Sequence, residues 1–131
     1  MRWDFHNDAP IYTQLVDQIT RMIVSGSLPP GERLPSVRNF AMEAGVNPNT
    51  MQRALTELER NGLIYSQRTS GHFVTDQSDY LEAAKTRLAA EAANQYLRDV
   101  TALGYSREEA EKLLQSVIRN VEECKNGDSN L

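Results

Sequence analysis

The chain has 131 residues, of which 40% are hydrophobic and 24% charged, a balance that fits one small globular domain with an appendage and excludes a disordered or fibrous chain. A single cysteine, Cys124, excludes an internal disulfide and a cysteine-based zinc site. The net charge of −4 speaks against a uniformly basic nucleic-acid binder, but it is unevenly spread. Residues 1–75 hold seven Arg against seven acids, whereas residues 76–131 hold seven Lys or Arg against eleven acids, including every Lys. Arg is the residue of planar, bidentate recognition, and a neutral region can still bind DNA if its cations cluster. His6 and His72 stand far apart, so no metal site is expected, and no cofactor either. No apolar run approaches the roughly 18 residues a membrane span needs. The opening MRWDFHNDAP lacks the layout of a secretory leader, so the expectation is a cytoplasmic protein with no membrane partner.

Residues 2–8 alternate Trp3 and Phe5 with polar residues, as an edge strand or a packed arm would. The first helix follows Pro10, with Ile11, Leu15, Ile19, Met22 and Ile23 in one stripe and Gly26 at its end. LPPGERLPS, residues 28–36, reads as a turn-rich connection. Ser36 suits the N-cap of a short second helix with Val37, Phe40 and Ala41 inward and Gly45 closing it.

A third helix starts almost at once. Asn47 is a good cap, Pro48 fits the first helical position, and Asn61-Gly62 is a stop signal. Met51, Ala54, Leu55 and Leu58 fall on its inner face, and Asn49, Gln52, Arg53, Thr56 and Arg60 on its outer face. Two short helices around a tight turn describe a helix-turn-helix with the second as recognition helix. An outer face of amides and guanidinium groups suits a major groove, although a solvated face would look the same.

After Gly62 the pattern becomes extended. Residues 63–66 and 72–75 flank Gln67-Arg68-Thr69-Ser70-Gly71 as a β-hairpin. Helix, helix-turn-helix and hairpin is the order of a winged helix over residues 1–75. A long helix is expected from about residue 79 to 103, with Leu81, Ala84, Leu88, Ala92, Tyr96 and Val100 in one stripe. Ser106 and Glu109 form a capping box for the last helix, where Ala110, Leu114, Val117, Val121 and Cys124 follow alternating spacings of four and three, widened by Leu113 and Ile118. The tail KNGDSNL is expected to fray. Two helices cannot bury such stripes alone. The face either folds back on the winged helix or meets its twin, and a twofold homodimer through residues 76–131 is the favoured expectation. Its candidate contacts are Leu88, Ala92, Tyr96, Val100, Ala110, Leu114, Val117, Ile118 and Val121. The fold class expected is thus mainly α with a small β-hairpin, a winged helix-turn-helix followed by a two-helix dimerisation region.

The run Pro10-Ile11-Tyr12, Gln14-Leu15, Gly26, Leu28 and Pro30 to Arg38 resembles the GntR family of bacterial transcription regulators. Val46 to Thr50, Arg53-Ala54, Leu58, Gly62 to Ile64, Gly71 and Phe73-Val74 extend the resemblance over nearly all of residues 10–75. The short helical C-terminal part is similar to the YtrA-like branch. The resemblance implies a repressor that binds a palindromic double-stranded operator as a dimer. It implies DNA contacts by Arg38, Asn49 and Thr50, and a close approach of Gly71 to the minor groove. The family wing often reads Arg-Gly-x-Gly, and Arg68-Thr69-Ser70-Gly71 departs from it, which leaves the tip conformation and its depth in the groove open.

Individual residues keep two readings each. Arg38 reaches a base edge or phosphate, or pairs with Glu43. Gln52 and Arg53 divide base reading and phosphate holding between them, or stay solvated. Ser36 and Asn47 join the candidate DNA-binding set, though Asn47 reads first as a cap. Arg33 adds a phosphate contact or none. Arg68 and His72 flank the wing tip, where an Arg suits a narrow minor groove, and the other reading of His72 is a plain hairpin residue. Cys124 reads first as a small hydrophobe. The competing function is a winged-helix protein-interaction module that does not bind DNA. No paired carboxylates, nucleophile-and-base pair or phosphate loop supports an enzyme. The operator, the regulated genes and any small-molecule effector are not written in the sequence.

Overall fold

The computed structural model describes residues 2–128, with side chains through residue 122. Cys124's side chain and residues 129–131 of the tail lie outside the described residues. Five helices and one hairpin follow in the order α1 (Ile11–Val24), α2 (Val37–Ala44), α3 (Pro48–Arg60), β1 (Ile64–Gln67), β2 (Gly71–Val74), α4 (Ser78–Ala102) and α5 (Arg107–Asp128). The last helix therefore reaches Asp128, into the stretch expected to fray. The chain divides into two compact units, one ending at Arg87 and the next starting at Leu88. That division falls inside α4, beyond the composition change at residue 75.

In the first unit, α1, α2 and α3 enclose a core in which Leu15, Ile19, Phe40, Met51, Leu55 and Leu58 are fully buried. Ile64 and Val74, opposite each other in the hairpin, close it from the sheet side. Removing so large a buried group as Phe40 typically costs about 3–5 kcal/mol. Leu81 and Ala84 join this core, so the opening turns of α4 belong to the winged unit.

Residues 2–8 form a packed arm rather than a strand. Trp3 stacks on Phe5 with centroids 6.2 Å apart and sets its edge on Phe40 at 5.6 Å. Two glutamines of α1 supply its hydrogen bonds. Gln14 Oε1 accepts from the His6 amide at 2.9 Å, and Gln14 Nε2 donates to the carbonyls of His6 and Ala9, both at 2.8 Å. Gln18 brackets Asp4 in the same way, accepting from its amide at 3.2 Å and donating to its carbonyl at 2.6 Å.

The expected connection after α1 also contributes to the sheet. Residues 31–34 lie antiparallel along β2, with Arg33 opposite Phe73. Gly31 donates to the Val74 carbonyl, Val74 to Glu32, and Leu34 to His72, each at 2.9 Å. Leu34 is buried on the core face, while Arg33, Phe73 and Tyr65 line up across the other face, with the Tyr65 and Phe73 rings stacked at 5.6 Å. Where α3 ends, Gly62 adopts φ +78° beneath the Tyr80 ring. A Cβ there would lie 2.5 Å from Tyr80 Cε1, so both backbone and space demand glycine.

The second unit holds the rest of α4 and α5. Ser106 and Glu109 form the expected capping box, with the Ser106 amide donating to Glu109 Oε1 at 2.9 Å and the Glu109 amide to Ser106 Oγ at 3.1 Å. These bonds hold the Glu109 carboxyl below the usual value of 4.5. Tyr96 Oη donates to the Ala110 carbonyl at 2.6 Å, tying α4 to α5. No helix among the described residues is long and apolar enough to cross a membrane.

Candidate nucleic-acid interface

The interface is built around α3. Asn47 Oδ1 caps it by accepting from the Asn49 amide at 2.8 Å, and Pro48 occupies the first turn. Ser36 Oγ caps α2 by accepting from the Asn39 amide at 3.2 Å. Both cap oxygens are thus engaged, which leaves the Asn47 side-chain amide and the Ser36 hydroxyl hydrogen as their remaining donors. Burial follows the helical period: Met51, Ala54, Leu55 and Leu58 are buried, while Asn49, Gln52, Arg53, Thr56 and Arg60 are exposed and Thr50 is half-buried.

The exposed side chains differ in how they are held. Thr56 Oγ1 donates to the Gln52 carbonyl at 2.9 Å, and Gln52 Nε2 reaches Thr56 Oγ1 at 3.4 Å. Arg60 pairs with Glu57 on its own helix, and Arg21 with Asp17 at 2.9 Å. Arg33, Arg38, Arg53 and Arg68 have no ion-pair partner among the described residues, so the Arg38–Glu43 pair is not formed. With Arg2, the neutral balance of residues 1–75 therefore hides five guanidinium groups that no acid among the described residues neutralises. Arg38 stands exposed in the first turn of α2. Arg53 alone has a ring contact: its guanidinium carbon lies 3.7 Å from the Tyr12 ring centroid.

At the wing, Ser70 donates to the Gln67 carbonyl at 3.1 Å, and Gln67 pairs with Gly71. Gly71 takes φ +95°, and no other type of residue among those described has a positive φ. One glycine thus suffices to close the tip, and Arg68-Thr69-Ser70 turns without a second. Arg33 Nε would lie 3.5 Å from a Cβ at Gly71, which places that guanidinium beside the wing's root. His72 sits half-buried on the face shared with Ile64 and Val74.

The expected dimer residues separate into two groups. Leu88, Val100 and Ala110 are buried in the single chain, and Tyr96 is half-buried. Ala92 is exposed, and Leu114, Val117, Ile118 and Val121 are 43%, 47%, 51% and 50% exposed. Sequence reasoning missed Tyr12 as a partner of Arg53. Its signal was an aromatic set one residue off the Ile11–Leu15–Ile19 stripe.

Comparison with known proteins agrees with this architecture. The model of bacterial regulatory proteins of the gntR family matches residues 11–74. The chain is 30% identical over 126 residues to the HTH-type transcriptional repressor YtrA of Bacillus subtilis, covering 95% of this chain and 97% of that protein. It is similar to the structure of a GntR family transcriptional regulator from Listeria monocytogenes, with TM-score 0.77, 32% identity, and coverage of 86% of this chain and 98% of that one. It is also similar to the DNA-binding domain of AraR solved in complex with operator ORX1, with TM-score 0.52, 26% identity, and coverage of 57% of this chain and 96% of that one. The winged helix, the matched segment and these relatives together establish that the chain belongs to the GntR family and is a DNA-binding transcription regulator of the YtrA type.

Proposed function

We propose that the protein is a cytoplasmic repressor that binds a palindromic operator as a homodimer. The observation that carries this reading is the open apolar face of α5. Leu114, Val117, Ile118 and Val121 recur at helical spacing and stay about half exposed, as a surface meeting its twin would. A twofold dimer sets two copies of α3 in a symmetric pair, and symmetric half-sites are what such a pair reads. The exposed residues, with Ala92, form the contact surface in this reading, while Leu88, Tyr96, Val100 and Ala110 build the helical unit that presents it. The name of the Bacillus subtilis relative, a transcriptional repressor, supports repression, and no enzymatic role is part of the reading.

On DNA, Asn49, Thr50, Gln52 and Arg53 face the major groove from α3. Arg38, with Ser36 and Asn47 as cap-anchored donors, reaches the flanking backbone or a base edge. Arg68 enters the minor groove from the wing, with Gly71, Arg33 and His72 shaping its root. The test is selection of binding sites from a random duplex library. An enriched inverted repeat is expected, and its half-site spacing gives the separation of the recognition helices. Enrichment of a single half-site would overturn the dimer, and no enrichment at moderate salt would overturn specific binding.

A further inference from the structure

Arg53 does not simply project from the outer face of α3. Its guanidinium is drawn sideways over the Tyr12 ring in the first turn of α1. Tyr12 and Arg53 line one shallow cleft with Asn49 and Thr50. Stacking on a ring face uses none of the five guanidinium N–H donors, and Arg53 has no hydrogen-bond or ion-pair partner among the described residues. The fork is therefore held with its edges open before any ligand arrives, which lowers the ordering cost of binding.

Its position selects the ligand. A helix seated in the major groove meets base edges along its central strip and phosphates along its flanks. Arg53 is held on the α1 flank, whereas Gln52 runs along α3 towards Thr56. We infer that Tyr12 is a positioning residue that holds Arg53 as a preformed fork for a DNA phosphate, leaving base reading at this turn to Gln52. This rests on α3 being the DNA-contacting helix. The Tyr12 hydroxyl has no part in the stack, so the ring alone should suffice.

The experiment measures affinity for the selected operator and for a scrambled duplex of equal length, across a salt series. Arg53→Ala should weaken binding to both duplexes by a similar factor of about ten, and flatten the dependence of log affinity on log salt by about one unit. Tyr12→Phe should bind like wild type. Tyr12→Leu should weaken both duplexes about threefold to fivefold, and add nothing in the Arg53→Ala background, as coupled residues do. Gln52→Ala should relax base preference without changing the salt slope. The inference is overturned if Tyr12→Leu acts equally with and without Arg53, or if Arg53→Ala changes base preference at an unaltered slope. Helical circular dichroism checks the fold. Should Tyr12→Leu not fold, Arg53→Lys decides, because Lys keeps the charge and loses the planar stack. Binding weakened about threefold or more supports the inference, and wild-type binding by that variant refutes it. A wild-type protein that binds neither duplex would instead overturn the DNA-binding role of α3.

Discussion

The two compact units treat apolar surface in opposite ways. The winged unit closes around Phe40, Leu15 and Leu55 and leaves arginines outside, five of them unpaired by acids among the described residues. The helical unit buries Val100 and Ala110 but leaves a row of branched side chains on α5 in solvent, amid an excess of acids. The first is complete in one chain and incomplete without an anion. The second is incomplete without more apolar surface. A regulator built from such halves recognises DNA with one and, in the proposed homodimer, would double that recognition with the other.

The contrast can be broken most severely at Phe40. Phe40→Ala should cost about 3–5 kcal/mol and unfold much of the winged unit, measured by chemical denaturation. Truncating Leu114 to Ala should cost a diluted monomer far less, since its site is partly solvated already. An equal loss at both positions would erase the distinction. Next in size is assembly. Val117→Glu with Val121→Glu should give monomers in sedimentation and weaken palindrome binding about a hundredfold, near 2.7 kcal/mol. A persisting dimer would move the interface elsewhere. Gly62→Ala should cost about 2 kcal/mol, because it strains a left-handed backbone and displaces Tyr80; thermal denaturation at unchanged DNA contacts checks it. Arg38→Ala should weaken operator binding about tenfold without changing the melting temperature, since it has no intramolecular ion pair to lose.

The smallest effect lies in the capping box. Glu109 has a carboxyl held below its usual 4.5, so its contribution is fully present above pH 4.5 and fades as pH falls through the lower folded value. The α5 helix should therefore lose content in acid at lower pH than an unperturbed carboxylate would dictate. Glu109→Gln should remove that dependence, read by circular dichroism.

Much of this architecture is legible from local chemistry. Asn47-Pro48 and Asn61-Gly62 mark α3 to within a residue, because caps and stops act on adjacent atoms. The stripes on α1 and α3 name their buried faces for the same reason. What is not legible depends on distant partners. The short stretch of residues 31–34 has no period of its own between its prolines and makes its backbone bonds only because β2 lies beside it. The arm's alternation suits a strand equally well, until Gln14 and Gln18 take the role of the neighbouring chain. For the site, the outer face of α3 and the two caps could be read directly. The sideways course of Arg53 could not, because it is fixed by a ring forty-one residues earlier in the chain.

The glutamine brackets carry a consequence for heredity. A strand's place is ordinarily written across a whole partner strand, and many single changes leave it legible. Here the course of the N-terminal segment is written in two side chains, each offering one donor group and one acceptor. Gln14→Glu, a single-base change in a glutamine codon, would keep the acceptor, lose the donor and turn a carboxylate towards two carbonyls. Amide exchange at Asp4 and His6 would register that change before any helix did.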